Sequence, residues 1–489
     1  MKLTRREWMK LTAGGALGAA VPGTMLAADN VKRSRPDYER PLFDLPGRIK
    51  DAAKIQTIEL LKRGSTFFVR TRSTGGAIGL APTKQVEPFI PIFKDIVAPH
   101  FIGKDAREIE SLVDSVYIAN YKLASLPFWC PVAYIEQSLL DMLGWIANKP
   151  VGELLGGVRR KEIPVYLSGS GRETTAEQEV DVYARGVEQT GTKIVKFKIG
   201  GRMSSNLDAY PGRTDTLIKL ARERLGNGVT LYADANGSYD APTAIKIGRM
   251  LEKFNYAMFE EPCPWEELTE TQRVTKALKI TVACGEQDTS LWRFQWMMKN
   301  GVMKIVQPDI NYNGGLIRAM RVARMAEGFG LKIVPHNTQT GAASVNILQF
   351  ASCTPNIGPA MEYPWRAPLQ RQSWFTPNFL IENGKLRVPE GPGLGLEITP
   401  RTWPRPKSWP GFPDHQQIGG GQRVHFGKAP FDFVFCGREM RRKMGVQKAC
   451  PLARAWLRQR PLCAGLWRKP ATGIDRRFGR RARVGGLSG

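Results

Sequence analysis

From Ile163 onward the chain alternates short apolar runs with longer stretches in which apolar residues recur every three or four positions. Eight runs carry the pattern: PVYLSGS, KIVKFKI, TLYADAN, YAMFEEP, ITVACGE, MKIVQPD, LKIVPHN and IGPAMEY. Runs of this length, rich in Val, Ile and aromatic residues, read as buried strands. Between them, TAIKIGRMLEKF and GLIRAMRVARMAEGFG read as helices, the second closed by a glycine cap. Strict alternation of strand and helix predicts a parallel sheet, and eight units are enough to close a barrel. Upstream, IQTIELLKRGSTFFVRTRSTGGAIGLA predicts two or three antiparallel strands, turned at Gly64-Ser65 and Gly75-Gly76. Helices follow, most clearly AYIEQSLLDMLGWIANK. The expected fold is α/β: a TIM-like, modified (β/α)-barrel over residues 161–398 with an α+β N-terminal capping domain over 51–160. GRMSSNLDAYPGR, after the second barrel strand, is longer than a usual connection, and either covers the barrel mouth or packs outside it.

At 489 residues the chain exceeds one ordinary core, and the ends account for the excess. Residues 29–50 read as a polar, Pro-rich linker. Residues 1–28 contain Arg5-Arg6, Trp8 and Lys10 before a weakly apolar stretch ending near Ala27 or Ala28, the pattern of a twin-arginine export signal. The run is short and broken by Pro22, so no stable membrane insertion is expected once the signal is removed. The expected location is periplasmic or extracellular. Residues 399–489 lose all periodicity and carry +16 of the net charge of +26. They read as a basic tail, disordered or non-native. The rest of the chain is only mildly basic, which argues against a nucleic-acid partner. Seven cysteines without a C-x-x-C pair argue against a structural zinc site, and Cys130, Cys263, Cys284 and Cys353 read as small core residues.

The chemistry concentrates between Lys196 and Glu286. Three of the apolar runs end in acid, at Asp234, Glu260 and Glu286, each 26 positions after the one before. That spacing is about one strand, one helix and two connections, so the three carboxylates belong at the same ends of successive parallel strands. One unit earlier, Lys196 and Lys198 point to the same side of their strand. Convergence at one end of a barrel makes a metal site with a base beside it. Oxygen-only ligation favours Mg²⁺ over zinc or copper. Glu261 stands next to Glu260 as the alternative ligand.

On these motifs the chain resembles the enolase superfamily, in its mandelate racemase-like family. The K-x-K of Lys196 and Lys198, the D-x-N of Asp234 and Asn236, the E-E-P from Glu260 and the G-E of Glu286 carry the resemblance. So do a Q-P-D with Asp309, a P-H-N with His336 and an M-E-Y with Glu362, over roughly residues 50–398. The resemblance implies Mg²⁺ on Asp234, Glu260 and Glu286, Lys198 as base on one face of a carboxylate substrate, and His336, oriented by Asp309, on the other. Lys196 would stabilise the substrate carboxylate, Glu362 would hydrogen-bond an enediolate oxygen if protonated, and Asn236 would donate to the substrate. It also implies a homo-oligomer, a C-terminal return to the cap, and a cap loop near Leu61–Thr66, with Arg63, over the substrate. The leading expectation is an acid-sugar dehydratase. The alternatives are a racemase or epimerase of a 2-hydroxy acid, and an exported binding protein that kept the fold without turnover.

Overall fold

The computed structural model describes Tyr38 and residues 40–63, 66–169, 171–365 and 371–398. The stretch read as an export signal, 1–28, and the stretch read as a basic tail, 399–489, lie outside the described residues.

The cap begins with an antiparallel sheet of β1 (Ile55–Arg63), β2 (Thr66–Ser73) and β3 (Ile78–Pro82), in that spatial order. Helices α1 (Ile109–Asn120) and α2 (Leu126–Ala147) follow. α2 is the cap's spine. It is buried without interruption from Phe128 to Gly144, the polar Glu136, Gln137, Ser138 and Asp141 included. β3 packs against it at glycine distance: a Cβ on Gly79 would lie 2.0 Å from the Ser138 carbonyl oxygen and 2.6 Å from the Met142 nitrogen.

Eight parallel strands then alternate with helices: β4 (Glu162–Ser168), β5 (Ile194–Lys198), β6 (Thr230–Asp234), β7 (Tyr256–Glu260), β8 (Thr281–Cys284), β9 (Ile305–Val306), β10 (Lys332–Ile333) and β11 (Met361–Pro364). The ladder runs in chain order from β4 to β10, and β11 pairs in parallel with β4 on the other side. A parallel bridge between Ile333 and Ile357 joins the two ends, so the barrel closes. The short strands and conserved direction place every strand's C-terminal end at one mouth.

Three buried polar groups tie cap to barrel. Glu136 of α2, 0% exposed, accepts from the Leu316 and Ile317 nitrogens at 3.1 and 2.7 Å. It thereby caps helix α3 (Leu316–Gly328), whose first amides have no partner within the helix. Asp141 accepts from Leu80 and from Leu394, at 2.7 and 2.6 Å, which stitches β3 to the returning C-terminal segment. Gln349 bonds Gly152, Pro389 and Leu394. The C-terminal segment does return to the cap.

One connection differs from its sequence reading, and another, left open there, has defined contacts. Within the stretch read as a linker, Tyr38, Leu45 and Ile49 are at most 5% exposed. Arg324 donates to the Arg40 carbonyl and Glu110 accepts from Leu42, so the segment is strapped to both cap and barrel helices. Polar composition concealed three well-spaced apolar anchors. The long stretch after β5 is fixed by Met203 and Asn206 donating to the Asn236 and Ser238 carbonyls, at 3.0 and 2.8 Å, against the loop after β6.

Substitution Gly79→Ala forces α2 and β3 apart. We expect a loss of about 1–3 kcal/mol, the range for overpacking a core, seen as a lower urea midpoint at unchanged slope. An unchanged midpoint would show that β3 tolerates a wider seat on α2.

Candidate active site

Register decides which side chains meet. Lys198 lies beside Asp234 in the ladder of β5 and β6, and Asp234 beside Glu260 in that of β6 and β7. Glu286 arrives two residues past the end of β8, after Gly285 at φ 119, a conformation that only glycine enters freely. The result is that carboxylate oxygens of Asp234, Glu260 and Glu286 lie within 4.8 Å of one another, all in buried side chains.

Three like charges this close in a buried site repel strongly unless counter-charge is supplied. The lysines supply part of it. Lys196, 0% exposed, sits 2.7 and 2.8 Å from the two Glu260 oxygens, 2.7 Å from Glu362 and 3.6 Å from Asp234. Lys198 donates to Asp234 Oδ2. Burial acts to raise the Asp234 carboxyl, but Lys198, Lys196 and Arg172 hold it below the usual carboxylate range. Glu260 goes the other way: burial and the Asp234 charge push it up to about 8, against the pull of Lys196. Glu286 Oε2 is buried without a hydrogen-bond donor. A cluster of three oxygen donors with one acceptor unsatisfied fits a small hard cation such as Mg²⁺. Glu261 is not part of the three-carboxylate cluster; its Oε2 accepts from Asn236 at 3.3 Å, while its Oε1 is buried without a partner.

Across the mouth, His336 Nδ1 is 2.8 Å from Asp309 Oδ2, and Nε2 is 3.5 Å from Glu286 Oε2. Burial would lower the imidazole, but the charge of Glu286 and the Asp309 hydrogen bond raise it above its ordinary value. Burial would raise Asp309, yet Lys84 beside it and His336 keep it well below the carboxylate range. An ionised Asp309 accepts, so Nδ1 carries the proton and Nε2 faces the site.

Not every expected role matches the geometry. Burial raises Glu362, but the charges of Lys196 and His336 bring it down to about 2. It accepts from Ser168 at 2.6 Å and from the Asn337 nitrogen at 2.9 Å. The charge of Lys196 thus favours the ionised form of Glu362, whereas the expected role as a donor requires the protonated one. Asn236, at φ 41, donates its backbone N–H to Asp234 at 2.8 Å, and its side chain bonds Arg172 and Glu261. Its side chain is spent on protein, and its backbone on aiming Asp234. Arg63 stacks over Trp374 at 4.9 Å.

Sequence reasoning missed several neighbours. Gln307 donates to Glu260 at 2.8 Å. Its place just past the end of β9, two residues before Asp309, was a readable signal. Arg172, after β4, donates to Asn236 at 3.1 Å and to the Gly200 carbonyl at 2.9 Å, while its Nη1 is buried without an acceptor. Lys84 comes from the cap, 225 residues before its partner Asp309, and nothing local marks it.

The comparisons with known proteins fall on this same region. Residues 179–402 match the family described as Enolase C-terminal domain-like. Arabinonate dehydratase of Saccharolobus solfataricus is 30% identical over 312 residues, 62% of this chain and 79% of that protein. The chain belongs to the enolase superfamily, in its mandelate racemase-like family. D-galactarolactone cycloisomerase of Agrobacterium fabrum is also 30% identical, over 61% of this chain and 79% of its own length. The crystal structure of a mandelate racemase/muconate lactonizing protein from Paracoccus denitrificans, complexed with magnesium, superimposes with a TM-score of 0.66 at 26% identity, covering 72% of this chain and 97% of that one. This enolase-superfamily member is an enzyme of the lyase or racemase type. The non-catalytic alternative has no support in a site where Lys198, Asp309 and His336 stand together.

Proposed function

We propose that this enolase-superfamily enzyme dehydrates an acid sugar, using Mg²⁺ held by Asp234, Glu260 and Glu286. One observation carries the reading: a buried three-carboxylate cluster is flanked by Lys198 on one side and the His336–Asp309 pair on the other. The names of the two 30%-identical relatives, a sugar-acid dehydratase and a sugar-lactone cycloisomerase, support the substrate class.

Removing a proton next to a carboxylate builds a second negative charge on the substrate, and bound Mg²⁺ would supply the electrostatic stabilisation for it. The chain's own groups do the rest. Lys196 holds the substrate carboxylate. Lys198 or His336 Nε2 takes the α-proton, according to the face on which it lies. His336 returns a proton to the β-hydroxyl as the C–O bond breaks, so water leaves and the enol product tautomerises to a 2-keto acid. Asp309 keeps the imidazole in the tautomer this requires. A second reading, racemisation of a 2-hydroxy acid, has its own support in the two opposed bases, which suffice for it. Export in the folded state, carried by the Arg5-Arg6 signal, would place the chemistry in the periplasm or beyond.

Two tests follow from the roles assigned. Calorimetry with Mg²⁺ should show greatly weakened binding in each of Asp234→Asn, Glu260→Ala and Glu286→Ala. Wild-type affinity in Glu260→Ala would transfer the ligand role to Glu261.

The second uses arabinonate, galactonate and gluconate as a substrate panel. His336→Asn is expected to lower β-hydroxyl loss by about 10²–10⁴-fold, the range for removing a general acid. Dehydration at the wild-type rate would refute the role of His336, and interconversion of C2 epimers without dehydration would favour the racemase.

A further inference from the structure

We propose that Lys84, a residue of the cap, is a positioning residue for proton transfer on the His336 face of the substrate, acting through Asp309. The inference rests on the two-faced proton-transfer reading above and adds to it a residue outside the barrel.

Lys84 follows β3 and is held from both sides. Thr83 donates to the Phe67 carbonyl at 2.9 Å, and the Tyr134 hydroxyl of α2 donates to the Lys84 carbonyl. The next residue, Gln85, turns the chain at φ 30. With its backbone so fixed, Lys84 reaches across the mouth. Its Nζ lies 2.6 Å from Asp309 Oδ2 and 3.9 Å from the centre of the Tyr312 ring. The side chain is 11% exposed and Asp309 is 1% exposed, so the pair is shielded from solvent.

The oxygen that Lys84 contacts is the one that His336 Nδ1 contacts. The other, Oδ1, accepts from the Asn311 and Tyr312 nitrogens at 2.8 and 3.1 Å. All four bonds together leave the carboxylate one orientation. Remove Lys84 and Oδ2 keeps only the imidazole, with a buried charge no longer compensated. The carboxylate is then free to take a proton or rotate, and either change loosens the ring whose Nε2 must face the substrate. Lys198 draws nothing from this network, since its own partner is Asp234 on β6. The cap therefore completes one of the two faces and not the other.

A purely structural staple would behave differently. It would lower stability and slow both faces alike.

The experiment is deuterium incorporation at the α-carbon in D₂O with Mg²⁺, using the full chain. The probes are C2-epimeric pairs, arabinonate with ribonate and galactonate with talonate, and the pair taken forward is the one the wild type deuterates fastest. The His336→Asn variant identifies which epimer belongs to that face. Lys84→Met should then slow deuteration of that epimer by about 10–100-fold, as removal of a ligand-orienting partner does in other sites. Deuteration of the other epimer should stay near the wild-type rate, and Lys84→Arg, which keeps the charge, should restore most of the loss. Equal slowing of both epimers, in Lys84→Met or in the milder Lys84→Gln, makes Lys84 a staple and overturns the proposal, as does no slowing at all. A wild type that deuterates neither epimer overturns the proton-transfer reading itself, and the inference with it.

Discussion

Mutual repulsion among Asp234, Glu260 and Glu286 is the constraint that the rest of the site answers. A parallel ladder in register puts Asp234 and Glu260 side by side, and a glycine turn brings Glu286 to them. No packing energy favours such a cluster, because buried carboxylates of like charge oppose each other and lose hydration. Lys196 and Lys198 are the protein's partial answer: both amines reach Asp234, and Lys196 reaches Glu260 as well. The unsatisfied Glu286 oxygen shows what the lysines leave undone. A divalent cation held by these three carboxylates would answer the remainder and would free Lys198 from Asp234 to act as a base. Structure and chemistry meet in that exchange.

The second dependence is of the barrel on its cap. The cap does more than roof the mouth, since three of its side chains end inside the barrel's own hydrogen bonding. Glu136 caps a barrel helix, Asp141 holds the C-terminal return, and Lys84 completes the coordination of Asp309. Each is buried and each partner lies far away in sequence. Cap and barrel are thus coupled by groups that are costly to leave unpaired.

How much of this could be read from the sequence follows from distance along the chain. The eight strands, the convergence of the three carboxylates, the placing of both lysines beside them and the His336–Asp309 pair were legible, because strand periodicity and regular crossovers carry that information locally. Gln307 was equally legible and overlooked. Lys84 and Arg172 were not legible: each takes its meaning from a carboxylate or amide that only tertiary folding brings near. Glu362 was read as a donor only if protonated, and the sequence could not show that Lys196, 2.7 Å away, would favour its ionised form. The strap near Tyr38 was hidden by its polar composition, which says little when three apolar anchors do the packing.

The account's central claim is that a cation replaces lysine as the counter-charge of the three carboxylates. Crystals grown with Mn²⁺ in place of Mg²⁺ test it through the anomalous signal. The account predicts one peak about 2.1 Å from oxygens of Asp234, Glu260 and Glu286, with Lys198 withdrawn from Asp234. A peak on Glu261, or no peak at saturating Mn²⁺ with the Lys198–Asp234 pair intact, would contradict it.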